Sequence, residues 1–250
     1  MDDLRVNVFV SRREMGVAAA RDVVEKVLEL LKSKDAVNMI FAAAPSQNEF
    51  LEALCQDQSI DWGRVNAFHM DEYIGLPKDA SQRFGNFLKT RLFDRLPFGA
   101  VHYLDGHAAD PAAECARYEA LLRAMPPDVV CMGIGENTHI AFNDPHVADF
   151  KDRHLVKVVD LDGPCRQQQV NDGCFAALDL VPTHALTLTV PALVQGAYIF
   201  CMVPGEKKAA AVCHTLYELV SEHYPSTILR THPHATLYLD ADSATRIKST

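Results

Sequence analysis

Three short segments concentrate residue types able to do chemistry on a small molecule. In FHMDEYIGLP, Phe68 to Pro77, an apolar strand delivers two adjacent carboxylates, Asp71 and Glu72, at its carboxyl end. Neighbours on an extended chain point to opposite sides, so one of the two faces a given pocket while the other serves the structure around it. A carboxylate so placed is a candidate general base and acid. The competing assignments are a solvated acidic turn into Gly75 and Pro77, or a metal site with His69; a hard cation would need more oxygen ligands from elsewhere. In MGIGENTHIAFNDP, Met132 to Pro145, a strand ends in Gly133 and Gly135, where backbone can approach a ligand closely. His139 follows, bracketed by Asn137 and Asp144, groups able to fix an imidazole tautomer and orientation. In AAAPSQ, Ala42 to Gln47, small residues lead into a helix starting near Ser46. That loop either holds an anion on N–H groups and a hydroxyl, or uses Ser46 as an ordinary cap.

These segments need a scaffold, and the hydrophobic pattern supplies one. Arg5 to Val10, Val37 to Ala43, Val65 to Met70, Val101 to Leu104, Val129 to Ile134, Ala185 to Val190, Ala197 to Val203 and Ala235 to Leu239 read as strands. Helical spacing marks Ala19 to Leu31, Gln47 to Leu54, Phe84 to Leu92, Ala112 to Met125 and Glu206 to Ser221. Strands alternating with helices predict an α/β fold: one doubly wound, mostly parallel sheet with helices on both faces. No repeat, low-complexity tract or linker divides the chain, so residues 1–250 are expected to form one domain. In such sheets ligands sit beyond the carboxyl ends of strands, where all three segments fall.

Composition narrows the function. With 24 basic against 33 acidic residues and a net charge of -9, the chain lacks the basic excess of a nucleic-acid or anionic-membrane surface. Seven scattered cysteines without a C-x-x-C pair suggest reduced thiols. The N-terminus has no signal-like apolar core, and no apolar run reaches membrane-spanning length, so a soluble, cytoplasmic protein is expected. Thr138 stands where a dinucleotide fingerprint needs its third glycine, and the G-x-S-x-G, P-loop and H-E-x-x-H motifs are absent. His232 and His234 lack partners at ligand spacing and are assigned to packing.

Taken together, the segments resemble the glucosamine-6-phosphate deaminase/isomerase family. FHMDEYIGLP is similar to that family's F-x-M-D-E-Y-x-G-L-P, and GIGENTHIAFNDP to its G-x-G-x-D-G-H-I-A-F-N-E-P. The likeness continues through HALTLTVPALV, VPGEKKAAAV and THPHATLYLD, nearly the whole chain. The resemblance implies a Rossmann-like domain, working without cofactor or metal, that converts a 2-amino-2-deoxyhexose 6-phosphate to a ketose phosphate and ammonia. It implies Asp71 as the base moving a proton from C2 to C1, and His139, with Asn137 and Asp144, as the ring-opening group. Ser46, Gln47, Glu72, Gly135 and Lys208 fall to substrate and phosphate binding, Glu72 also supporting the loop geometry. Lys208 opens a helix, where positive charge is unfavourable unless an anion is near. Asn137 replaces the motif's Asp, and Asp144 its Glu. Cys165 to Phe175 does not place an arginine where the family's phosphate-binding one is expected, and Arg166 is the substitute considered. The alternatives are a 6-phosphogluconolactonase-type hydrolase, opposed by IAFND after the histidine, and a sugar-phosphate-binding protein without turnover. The resemblance also implies a homo-oligomer whose partner is a small sugar phosphate, with no nucleic acid or membrane.

Overall fold

The computed structural model describes residues 4–248. Its strands are β1 (Arg5–Phe9), β2 (Val37–Phe41), β3 (Val65–His69), β4 (Asp71–Tyr73), β5 (Ala100–His102), β6 (Val129–Met132), β7 (Val156–Asp160), β8 (His184–Leu188), β9 (Tyr198–Val203) and β10 (Ala235–Asp240). Its α-helices are α1 (Arg12–Leu30), α2 (Asn48–Gln56), α3 (Phe84–Leu88), α4 (Pro111–Ala124), α5 (Gly163–Asn171), α6 (Val190–Val194) and α7 (Ala209–Tyr217). Seven strands form a fully parallel sheet in the order β1-β10-β9-β6-β2-β3-β5.

The pleat sends alternate residues of this sheet into two cores. In β2, Val37, Met39 and Phe41 enter one and Ile40 the other; in β9, Phe200 and Met202 oppose Ile199, Cys201 and Val203. The first core packs under α1 and α2 through Met15, Val23, Val27, Phe50 and Leu54. The second packs under α4, α6 and α7 through Tyr118, Leu122, Leu193 and Val212. Helices therefore cover both faces, as the alternation of elements predicts. Local signals start several of them: Ser11 accepts from the Glu14 N–H at α1, and Asp110 accepts from the Ala112 and Ala113 N–H groups at α4, just ahead of Pro111.

Two features depart from the expectation of one sheet. β4, β8 and β7 form a separate antiparallel sheet, with Asp71 opposite Thr187 and Val158 opposite Leu186. The apolar run expected as a strand over Ala185 to Val190 is the middle of this small sheet, and it stops because Thr189 caps α6 with Pro191 in its first turn. Cys165 to Phe175, for which no element was expected, contains most of α5, capped by Asp162 with Pro164 in its first turn. From β2 the chain moves outward to β3 and β5, then returns to β6 on the other side of β2. That reversal is a topological switch point, the place where open α/β sheets leave a crevice.

Candidate active site

The crevice at the switch point opens onto about 580 Å³ of space, open solvent at its mouth included. Its walls come from Ala42 to Ala44, Ser46 and Gln47 after β2; Met70 and Asp71 after β3; Gly133 to Gly135, His139, Ala141 and Phe142 after β6; Gln168, Gln169 and Asp172 of the α5 region; Phe84; and Lys208. Among the residues expected in a site, Ser46, Gln47, Asp71, Gly135, His139 and Lys208 meet here.

Asp71 stands at the corner where the chain leaves the large sheet for the small one. It is 7% exposed, and its Oδ1 has no hydrogen-bond partner. Burial first, and the charge of Glu72 second, raise its pKa well above the ordinary carboxylate value. Its backbone is held on both sides: the Leu188 N–H donates to the Met70 carbonyl at 2.8 Å, and His69 Nδ1 lies 2.8 Å from the Asp71 carbonyl oxygen. His69 Nε2 accepts from the Leu104 N–H at 2.9 Å, so Nδ1 carries the proton and both ring nitrogens are engaged. Burial lowers the His69 pKa to about 4, which keeps that ring neutral. These contacts leave His69 a buried brace rather than a metal ligand.

Glu72 points away from the pocket. Its carboxylate accepts from the N–H groups of Tyr73 at 2.9 Å, Phe84 at 3.1 Å and Gly85 at 3.0 Å, with Arg83 Nε 3.5 Å away. Counting Glu72 with the substrate-binding residues is therefore corrected, because strand alternation turns it to the other side of β4, where it ties that strand to α3.

His139 lies on a loop bent by two left-handed non-glycine residues, Thr138 at φ 71° and Ala141 at φ 48°. Such conformations cost about 1–2 kcal/mol each and persist only where the surroundings impose them. The Gly135 N–H donates to the His139 carbonyl at 2.9 Å, and the Ser226 N–H donates to the Thr138 carbonyl at 3.0 Å. A Cβ on Gly135 would overlap the His139 ring, so that glycine permits the ring's approach. Nδ1 of His139 lies 2.6 Å from Asn137 Oδ1 and 3.1 Å from Asp144 Oδ1. Both are acceptors, because Asn137 Nδ2 donates to Asp144 Oδ1 at 3.0 Å and to Asp162 Oδ2 at 3.4 Å. The proton therefore sits on Nδ1, and Nε2 is the ring nitrogen left for a ligand. Burial acts to raise the Asp144 pKa. The hydrogen bond and charge of His139, the Asn137 amide and the Asp162 N–H outweigh it and hold this 0% exposed carboxylate below its ordinary value. The neutral Asn137 thus positions the ring, while the charge beside it comes from Asp144.

The far end of the pocket is electrostatic. Lys208 is 7% exposed, and among the described residues no carboxylate lies within ion-pair distance of its Nζ. Burial lowers its pKa, against the opposing charges of Asp172 and Glu136. Ser46 makes no capping bond; its hydroxyl oxygen accepts from Gln47 Nε2 at 3.1 Å. Gln47 Nε2 also donates to the Met202 carbonyl at 3.2 Å, and Gln47 Oε1 is buried without a partner. Arg166 does not reach this end: its guanidinium donates to the carbonyls of Leu178 at 2.7 Å and Val181 at 2.9 Å. Its expected role in phosphate binding is corrected by helix geometry. The inward positions are Gln168, Gln169 and Asp172, on the same stripe as Cys165 at i, i+3, i+4 and i+7, from which Arg166 is turned about 100°.

Sequence reasoning missed those three residues, although that spacing was there to find. It also missed Thr187 and Asn143. The Phe142 N–H donates to Thr187 Oγ1 at 3.0 Å, and Asn143 Nδ2 donates to the carbonyls of Ile140 and Leu188, each at 2.8 Å. Through β8, the Asp71 corner and the His139 loop share one support. Two groups among the described residues bring ligand atoms within 4.8 Å of one another: His139, Asp144 and Cys165, and Asp144, His146 and Asp162.

A small-ligand crevice at the switch point of a parallel α/β sheet places the chain in a broad class of enzyme folds. Comparison with known proteins narrows it. Residues 11–238 match the family described as glucosamine-6-phosphate isomerases/6-phosphogluconolactonase, and the chain belongs to that family. It is 38% identical over 191 residues to a glucosamine-6-phosphate deaminase of Exiguobacterium sp., covering 76% of this chain and 73% of the relative. A glucosamine-6-phosphate deaminase of Bacillus cytotoxicus is 32% identical over 236 residues, 94% of this chain and 87% of that one. Among solved structures, a monomeric glucosamine-6-phosphate deaminase superposes with a TM-score of 0.86 at 28% identity, covering 96% of this chain and 99% of its own. The 6-phosphogluconolactonase of Thermotoga maritima shares the fold, with a TM-score of 0.77 at 21% identity over 95% and 99% of the two chains. Among the described residues no helix is long and apolar enough to cross a membrane.

Proposed function

We infer that the protein is a cytoplasmic glucosamine-6-phosphate deaminase, which isomerises the amino sugar phosphate to fructose 6-phosphate with loss of ammonia. The observation that carries this reading is the Asp71 carboxylate: buried, unpartnered, and on the wall of the same pocket as His139. His139 Nε2 takes the proton of the O1 hydroxyl and passes it to the ring oxygen as the C1–O5 bond breaks. Asp71 then removes the C2 proton while O1 takes one from the substrate's ammonium group, giving an enolamine, and Asp71 returns its proton to C1. The resulting C2 imine is hydrolysed by water to the ketone and ammonia. A desolvated carboxylate is a stronger base than an exposed one and suits a proton shuttle between adjacent carbons. Lys208, with Ser46, holds the phosphate, which supplies the counter-charge that the buried ammonium lacks. Seven cysteines, all free, suit a reducing compartment.

The test is ammonia release, with proton NMR of the sugar product, from glucosamine 6-phosphate, galactosamine 6-phosphate, N-acetylglucosamine 6-phosphate and 6-phosphogluconolactone. Ammonia and fructose 6-phosphate from the first substrate are expected. Turnover of the lactone alone would overturn the assignment.

A further inference from the structure

The groups that orient His139 have a second chemical capacity. A ring nitrogen of His139, a carboxylate oxygen of Asp144 and Cys165 Sγ lie within 4.8 Å of one another, and all three residues are buried. The imidazole-to-carboxylate edge is 3.1 Å. Zinc bonds of about 2.0–2.3 Å to nitrogen, oxygen and sulfur, set at tetrahedral angles, give edges of roughly 3.3–3.7 Å, so this edge is close to that of a zinc site. Imidazole and thiolate donors select a borderline-soft cation over magnesium or calcium, which take oxygen.

We propose that His139, Asp144 and Cys165 form an inhibitory site for a zinc-class divalent cation, one that catalysis does not use. Asp144 enters already ionised. The Cys165 thiol proton leaves to solvent. The single imidazole proton moves from Nδ1 to Nε2 as the cation takes the Nδ1 electron pair. Nε2 is the nitrogen that accepts the O1 proton in ring opening, so a loaded protein holds the tautomer that cannot start the reaction. This consequence rests on the deaminase reading; the site itself does not.

Cobalt(II) titration of the full chain tests the site without turnover. A near-ultraviolet thiolate-to-cobalt charge-transfer band is expected to saturate at one equivalent. Cys165→Ser, with its melting temperature checked against the parent, is expected to lose the band. His146→Ala, which removes the neighbouring group of potential ligands, is expected to keep it. In the activity assay, zinc is expected to inhibit the parent reversibly, with a chelator restoring the rate. Cys165→Ser should keep its uninhibited rate and need at least tenfold more zinc. Absence of the band, its persistence in Cys165→Ser, or its loss in His146→Ala would overturn the proposal.

Discussion

Around Asp71 and His139 the chain is bonded at nearly every turn, from the Leu188 N–H on the Met70 carbonyl to the Asn137 amide between His139 and Asp144. Around Lys208 the same pocket has polar groups with unused capacity: Gln47 Oε1 is buried without a partner, and the Lys208 ammonium has no carboxylate in ion-pair distance among the described residues. The Asp71–His139 end is organised in geometry before any ligand arrives. The Lys208 end is organised in charge and, on the proposed function, is completed by the ligand's own oxygens. Each end carries desolvation that costs stability and serves chemistry, since an unpaired buried polar group is retained only where something else requires it.

Asp71→Asn breaks the contrast most severely. Loss of the base is expected to lower kcat by about 10³-fold, within the range for general acid–base groups, with KM changed little. Stability is expected to move the other way. The folded-state pKa of Asp71 is raised, so the native state binds the proton more tightly than the unfolded chain does. Stability associated with this group is therefore fully present below the ordinary carboxylate pKa and is lost as pH rises through the folded value. The variant should thus melt higher than the parent at pH 7, by about 1–3 kcal/mol of relieved desolvation, and the gap should close toward pH 4. For the parent, the acid limb of kcat/KM is expected above the usual carboxylate range, because Asp71 must ionise to act.

Lys208→Met tests the anion end. Losing a charged hydrogen bond to phosphate costs about 1.5–3 kcal/mol, so kcat/KM should fall roughly 10- to 100-fold, mainly through KM. Inorganic phosphate should weaken as an inhibitor in the same proportion. An equal loss in kcat would erase the division between the two ends.

Thr187→Val probes the support they share. It leaves the Phe142 N–H without its acceptor, at a cost of about 1–3 kcal/mol seen in thermal unfolding. Because β8 braces both the Asp71 corner and the His139 loop, kcat is expected to fall more than KM rises. The smallest effect is expected from Arg166→Gln. Its guanidinium serves carbonyls, so stability should drop by about 1 kcal/mol while KM for the sugar phosphate stays within about twofold.

Much of this was legible in the residues. The apolar runs around Ile40, Phe68, Val130 and Cys201 mark buried parallel strands, and the three segments after them do meet in one crevice. Alternation also anticipated that Asp71 and Glu72 would part company. The small sheet was not legible, because β4 is three residues long and β7 mixes Lys157 and Asp160 with its valines, so their pairing depends on partners distant in sequence. α5 was hidden because its buried face is Cys165, Gln168 and Gln169, polar residues that leave no hydrophobic stripe. Arg166 was chosen by charge, where the helical spacing of its neighbours would have pointed to the glutamines.

On the proposed function, Asp71 moves the proton between C2 and C1. The most direct test of that role is proton NMR of glucosamine 6-phosphate in D2O with the parent and with Asp71→Asn, each first shown by thermal shift to bind the sugar phosphate. The parent is predicted to consume the C2–H signal as ketose phosphate accumulates, and the variant to leave that signal intact over the same period. Loss of the C2–H signal at the parent rate in Asp71→Asn would contradict the account.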